Sequence, residues 1–313
     1  MRVTNSMLIN QFLYNMNNNL DKMQKHDYQL ATGKKIFRPS DDPVGITRSL
    51  QARTDLSKLE RYIQNVSDAK AWLTQSETSL MEMNEIIKRA YDLAVDGANS
   101  TKTLEDRQAS AKELRELEEH LVQAANTTFG GRYIFGGYNT VKDPFELSED
   151  GALLYNGIDI KSENAEDIEK LGEYIGESIQ FEIGPNTNMQ VSINGLELLG
   201  VGEGNVFDVI NRLTNALETG DTDIIDESVG TLQKAQENIL SHIADVGGKY
   251  NRLEMVEYRY KDDYINYTGV KSEVEDVDQA EATMQLKMAE MVYRSSLAVG
   301  ARIIQPTLVD FLR

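Results

Sequence analysis

Apolar residues near the start of the chain fall alternately four and three positions apart. Ile9, Leu13, Met16, Leu20, Met23, Asp27 and Leu30 mark one seam with a single acidic interruption, the rhythm of a helix that faces another helix. The same rhythm returns near the other end through Val270, Val274, Val277, Glu281, Met284, Met288, Met291, Ser295 and Ala298. Two seams of similar length predict that the ends pair. Further apolar residues lie off both seams, Leu8 and Phe12 at the start and Leu286, Tyr293, Leu297, Ile303 and Ile304 at the end, and a stripe that wide asks for more than one partner. A narrow seam on a short helix does not outweigh the entropy of ordering it, so the terminal segments are expected to be mobile in the monomer and helical in an assembly. Asp27 and Glu281 are candidates for setting the register of the seam.

Inside the ends, FRPSDDPVGI announces a hinge followed by a helix start. Asp42 stands where a cap is needed and Pro43 already has helical φ. Leu56, Leu59, Ile63, Val66, Leu73, Leu80, Met83, Ile87, Ala90 and Ala94 then trace one face of a very long helix, broken near Gly97 and followed by another over residues 103–127. Ile239, Ile243, Val246, Tyr250, Leu253, Tyr260, Tyr264 and Tyr267 form a matching return seam, so these helices are expected to bundle. At TTFGGRYIFGGYNT the helical pattern stops: Gly130 and Gly131 permit positive φ, and residues 132–135 read as a short strand before a second Gly-Gly turn. Strand candidates ALLYNG, IQFEI and MQVSIN follow, with an acidic surface helix over residues 162–177.

The predicted fold is therefore mainly α, a long coiled-coil bundle built from both chain ends, with a small β-rich domain inserted in the middle. Residues 1–40 and 271–313 would form a terminal coiled-coil domain, 41–140 and 201–270 a long-helix domain, and 141–200 the β-rich outer domain.

Charge and chemistry narrow the function. Acidic residues outnumber basic ones by 51 to 32 in a chain of 313, a net charge of -19 without a basic block, which disfavours nucleic acid and anionic membrane as partners. There is no cysteine. The first twenty residues lack the apolar run of a cleaved secretory signal. No metal, cofactor or catalytic constellation stands out, and a non-enzymatic role is expected. His26, His120 and His242 are far apart; DTDIIDE starts like a calcium loop but has Asp226 at the glycine position and Leu232 where the bidentate glutamate belongs. GVGEG misses the dinucleotide spacing, and VGGKY has Ile243 where a phosphate loop needs its first glycine.

Several stretches carry a resemblance. MRVTNSMLINQFLYNMNNNL, LATGKKIFRPSDDPVGITRSL and IIKRAYDLAVDGAN are similar to the flagellin superfamily, while GRYIFGGYNT, DPFEL and the ending IIQPTLVDFLR resemble its hook–filament junction members more than its filament subunits. The resemblance covers roughly residues 1–145 and 205–313. It implies terminal helices that line the inner tube of a flagellum, a β domain on the outside, and export as an unfolded chain through the flagellar type III apparatus without signal cleavage. It also implies partners: copies of the chain itself in a ring or helical layer, the first hook-associated protein, flagellin and an export chaperone that binds the C-terminal stripe. The rival reading is the filament subunit, flagellin. On this reading the subunit interface comprises Ile9, Leu13, Met16, Leu20, Met23 and Leu30 with Val274, Val277, Met284, Met288 and Met291, closed by Ile304, Leu308, Phe311 and Leu312. Pro39, Ser40, Asp41, Asp42 and Pro43 form the hinge.

Overall fold

A computed structural model describes residues 5–99, 102–148, 152–162 and 164–303. Ile304, Leu308, Phe311 and Leu312 of the expected interface lie outside the described residues. The chain divides into two compact units, residues 1–60 with 262–313 and residues 61–261. The helices are α1 (Asn5–Thr32), α2 (Pro43–Ala98), α3 (Leu104–Ala125), α4 (Ala165–Ile175), α5 (Gly195–Leu199), α6 (Val206–Thr219), α7 (Thr222–Glu275) and α8 (Gln279–Ile303). The strands are β1 (Thr128–Phe129), β2 (Arg132–Tyr133), β3 (Phe145–Leu147), β4 (Leu153–Tyr155), β5 (Ile158–Asp159), β6 (Gln180–Gly184) and β7 (Thr187–Gln190). The chain is mainly α with a small strand-containing middle, as the periodicity predicts.

The larger unit is built on strict heptads. Val66, Leu73, Leu80, Ile87 and Ala94 of α2 are seven residues apart and fully buried, with Ala69, Ser76, Met83 and Ala90 completing the seam between them. On α7 the same interval runs through Ile225, Leu232, Ile239, Val246, Leu253 and Tyr260, all buried. The return seam thus begins two heptads before Ile239. At Gly97 a side chain would overlap the Leu217 tip of α6, which packs directly over the glycine. Thr103 starts α3 with a reciprocal capping box to Asp106. Helix α6, which the seam pattern does not reveal, has its own signals: the Asn205 side chain accepts from Asp208 N at 2.8 Å, and Gly220 ends the helix at φ 84°.

The middle segment folds as three small antiparallel pieces, β1-β2, β3-β4-β5 and β6-β7. Gly130 and Gly131, at φ 57° and 77°, form the two-residue turn between β1 and β2. The strand expected over residues 132–135 stops at Tyr133, because Ile134 and Phe135 turn inward and are wholly buried. Phe145 stacks edge-on against Tyr155 and tilted against Phe207, and the Asn126 amide bridges Phe145 N and O at 3.0 and 2.7 Å. MQVSIN is strand only at its first two residues; Asn194 leaves the sheet to cap α5. The acidic stretch forms α4, whose Leu171 is buried while its carboxylates face outward. Tyr260 anchors the β6-β7 hairpin by donating to Ile183 O at 2.6 Å.

Candidate assembly interface and hinge clasp

Two features of the smaller unit bear on function, the hinge and the terminal helix pair. In the hinge the two adjacent aspartates divide the work. Asp42 Oδ1 accepts from Val44 N at 3.1 Å and Gly45 N at 2.9 Å, capping α2 one residue before Pro43 as the sequence predicts. Asp41 Oδ2 accepts from Arg38 N and Phe37 N, and its Oδ1 receives Lys25 Nζ at 3.0 Å. The Arg38 amide first, then the Lys25 ammonium and the Phe37 amide, hold its carboxyl below the usual range. A side chain at Gly45 would collide with Asp42 and Ile36. Pro39, Ser40 and Pro43 are exposed.

The hinge is locked by a residue more than two hundred positions away. Glu275, the last residue of α7, is only 2% exposed. Its carboxylate accepts from Arg53 Nε at 2.6 Å and Nη2 at 2.9 Å, from the Ser49 hydroxyl, and is paired with Lys34 Nζ at 3.2 Å. The Arg53 guanidinium is the main reason its pKa falls to about 2. Backbone bonds reinforce the clasp: Lys35 N donates to Glu275 O at 2.6 Å and Val277 N to Gly33 O at 3.0 Å, where Gly33 takes φ 69°. The break between α1 and α2 is thereby fastened to the break between α7 and α8. Periodicity offers one hint of this node. Ser49 lies on the buried stripe Gly45, Ser49, Ala52, Leu56 and Leu59, and a hydroxyl on such a stripe needs a partner. Nothing in the sequence points to Glu275.

Helices α1 and α8 pack antiparallel. Phe12 covers Gly300, where a side chain would overlap the ring, and Asn19 Nδ2 donates to Ser296 Oγ at 3.4 Å. The face of α8 turned to α1 is Ala282, Leu286, Ala289, Tyr293, Ser296 and Gly300, a four-three heptad of mostly small residues, each buried or half-buried. This corrects the expected pairing. Met284, Met288 and Met291 keep the same rhythm two residues out of phase, about 200° round the helix, and are 57%, 50% and 62% exposed. Small residues win the contact because they let the backbones approach and admit the Phe12 ring. On α1, Ile9, Met16, Leu20, Met23 and Leu30 are half-buried, but Leu13 is exposed and Phe12 takes its place. Val274 and Val277 are half-buried. Asp27 and Glu281 face solvent, and Glu281 accepts from Gln285 on its own helix. The pair leaves an apolar surface uncovered: Met7, Leu8, Leu13 and Tyr14 on α1, and the three methionines with Val292, Leu297 and Val299 on α8.

Among the described residues no group of His, Asp and Glu comes together that could hold a metal, and no helix is long and apolar enough to cross a membrane. The family model described as bacterial flagellin N-terminal helical region matches residues 3–140. Flagellar hook-associated protein 3 of Escherichia coli K12 is 25% identical over 304 residues, 89% of both chains. The chain is thus similar along most of its length to a flagellar hook-associated protein, and its first half to the flagellin N-terminal region. Flagellin of Bacillus subtilis 168 is 23% identical over 322 residues, 97% of each chain. Among solved structures, a putative flagellar hook-associated protein from Vibrio parahaemolyticus matches 75% of this chain and 100% of its own, with a TM-score of 0.65 at 21% identity. The flagellin-like resemblance read from the sequence therefore extends over most of the chain.

Proposed function

We propose that this chain is the structural subunit that joins hook to filament in a bacterial flagellum. The observation that carries the reading is the similarity to hook-associated protein 3 along nearly the whole of both chains, joined to a terminal helix pair whose outer faces are apolar and uncovered. The mechanism is open, heterologous association: the outer stripe of one copy meets a different surface on the next, so that identical chains repeat in a ring or helical layer. The first hook-associated protein lies on one side and flagellin on the other. The terminal segments complete their packing on incorporation, with Ile304, Leu308, Phe311 and Leu312 closing the contact. Three functional layers follow, residues 1–40 with 271–313 innermost, 41–140 with 201–270 next, and 141–200 outermost. Export runs through the flagellar type III apparatus, with a chaperone on the C-terminal stripe and no cleaved signal.

Deletion of the gene followed by electron microscopy tests this. The expected result is a bare hook with filament protein shed into the medium; full-length filaments on the deletion strain overturn it. The second reading, a filament subunit, is favoured by the end-to-end similarity to flagellin and predicts a deletion strain whose medium contains no filament protein. Amide exchange on the isolated monomer separates assembly-coupled ordering from a finished helix pair. Rapid exchange over residues 8–30 is expected, and strong protection there contradicts it.

A further inference from the structure

Helix α8 carries two four-three stripes of opposite character. One is small and closed by α1; the other presents Met284, Met288 and Met291 with half or more of each side chain in solvent. A thioether is the softest oxidisable group in a chain without cysteine. Resting on the assembly reading above, we infer that Met284, Met288 and Met291 are an oxidation site that turns incorporation off, with hydroperoxides as the oxidant class. The sulfur lone pair attacks one oxygen of hydrogen peroxide and the O–O bond breaks. An S–O bond forms, and the remaining hydroxide takes a proton and leaves as water. Sulfur loses two electrons and the peroxide gains them. The product is a methionine sulfoxide, a strong polar acceptor. Three of them on one helix face convert an apolar stripe into a hydrated one, and an apolar neighbour supplies no donors to replace the lost water. Leucine at these positions would give the same apolar face without the chemistry. The clasp around Glu275 contains no sulfur, and neither does the face of α8 turned to α1.

The test uses the purified full-length chain, treated with hydrogen peroxide, mapped by peptide mass spectrometry and added to cells of the deletion strain, where filament-bearing hooks are counted. Sulfoxide is expected at Met284, Met288 and Met291 and not at the buried Met83 and Met189. Treated protein is expected to need an at least about tenfold higher concentration than untreated protein for the same count, with recovery after methionine sulfoxide reductase. The exposed Met7, Met81 and Met255 also react, so the variant Met284→Leu/Met288→Leu/Met291→Leu isolates the stripe, scored as the ratio of treated to untreated. A ratio near one supports the inference, and a loss as large as in the parent chain overturns it. Unoxidised Met284→Gln/Met288→Gln/Met291→Gln separates the two layers of reading. If it incorporates like the parent chain, the stripe is not an interface and the assembly reading fails with the inference. If it fails while fully oxidised parent chain still incorporates, the oxidation inference alone is overturned.

Discussion

The two compact units solve the same packing problem with different materials. In residues 61–261 the long helices bury aliphatic and aromatic side chains at every seventh position, and Leu80, Ile87, Leu232 and Val246 have no solvent contact at all. In the smaller unit the corresponding contacts are a buried carboxylate with its basic partners and a thin seam of alanine, serine and glycine, while methionines and tyrosines stay in water. The larger unit closes its heptad core within one chain. The smaller one is held in shape by directional polar bonds and leaves apolar side chains of both terminal helices exposed, the surface that the proposed assembly would use.

The largest test of this contrast is Leu80→Ala. A leucine with no exposure leaves a cavity, and the variant is expected to lose about 3 kcal/mol in denaturant unfolding; a loss under about 1 kcal/mol would mean the heptad seam is loosely packed. Next comes Glu275→Gln, expected to cost about 2 kcal/mol because Arg53 and Lys34 lose their counter-charge. Amide exchange should quicken over residues 33–53 and stay unchanged over 66–94. Acid should act on the same node. The carboxyl of Glu275 lies at about 2 when folded against an ordinary 4.5, so its contribution is complete above pH about 4.5 and fades as pH falls toward 2. Melting curves at pH 7 and pH 3 should show the gap between the parent chain and Glu275→Gln narrowing in acid. A gap that is constant or widens would remove the charge from the explanation.

Gly300→Val presses a branched side chain into the Phe12 ring and is expected to weaken the α1–α8 pair by about 1 to 2 kcal/mol, read as a higher concentration of added protein needed for the same count of filament-bearing hooks on the deletion strain, with the denaturant midpoint of residues 61–261 unchanged. The smallest effect belongs to Met288→Gln, within about 0.5 kcal/mol in the monomer. A larger loss would show that this face is already covered within one chain, and the comparison between a finished unit and an unfinished one would not survive.

Much of this architecture is legible locally. Asp42 before Pro43, Thr103 before Asp106 and the Gly130-Gly131 turn each announce themselves, because caps and tight turns depend on neighbours within a few residues. The seam of α2 reads directly from spacing. Helix α6 escapes a search for long seams although Asn205 and Gly220 bracket it, and the strand expected through Phe135 fails because tertiary burial of that ring outweighs β propensity.

The sequence by itself determined where helices start, stop and turn, and that the two ends carry matched stripes, because periodicity and capping act over a few residues. Only the tertiary structure decided which of the two stripes on α8 meets α1, since both have the same rhythm and the choice depends on how closely two backbones can approach over Gly300. It also decided that Glu275 fastens the hinge: a buried charge is stable only with its partners in place, and Lys34, Ser49 and Arg53 reach it through folding rather than through sequence.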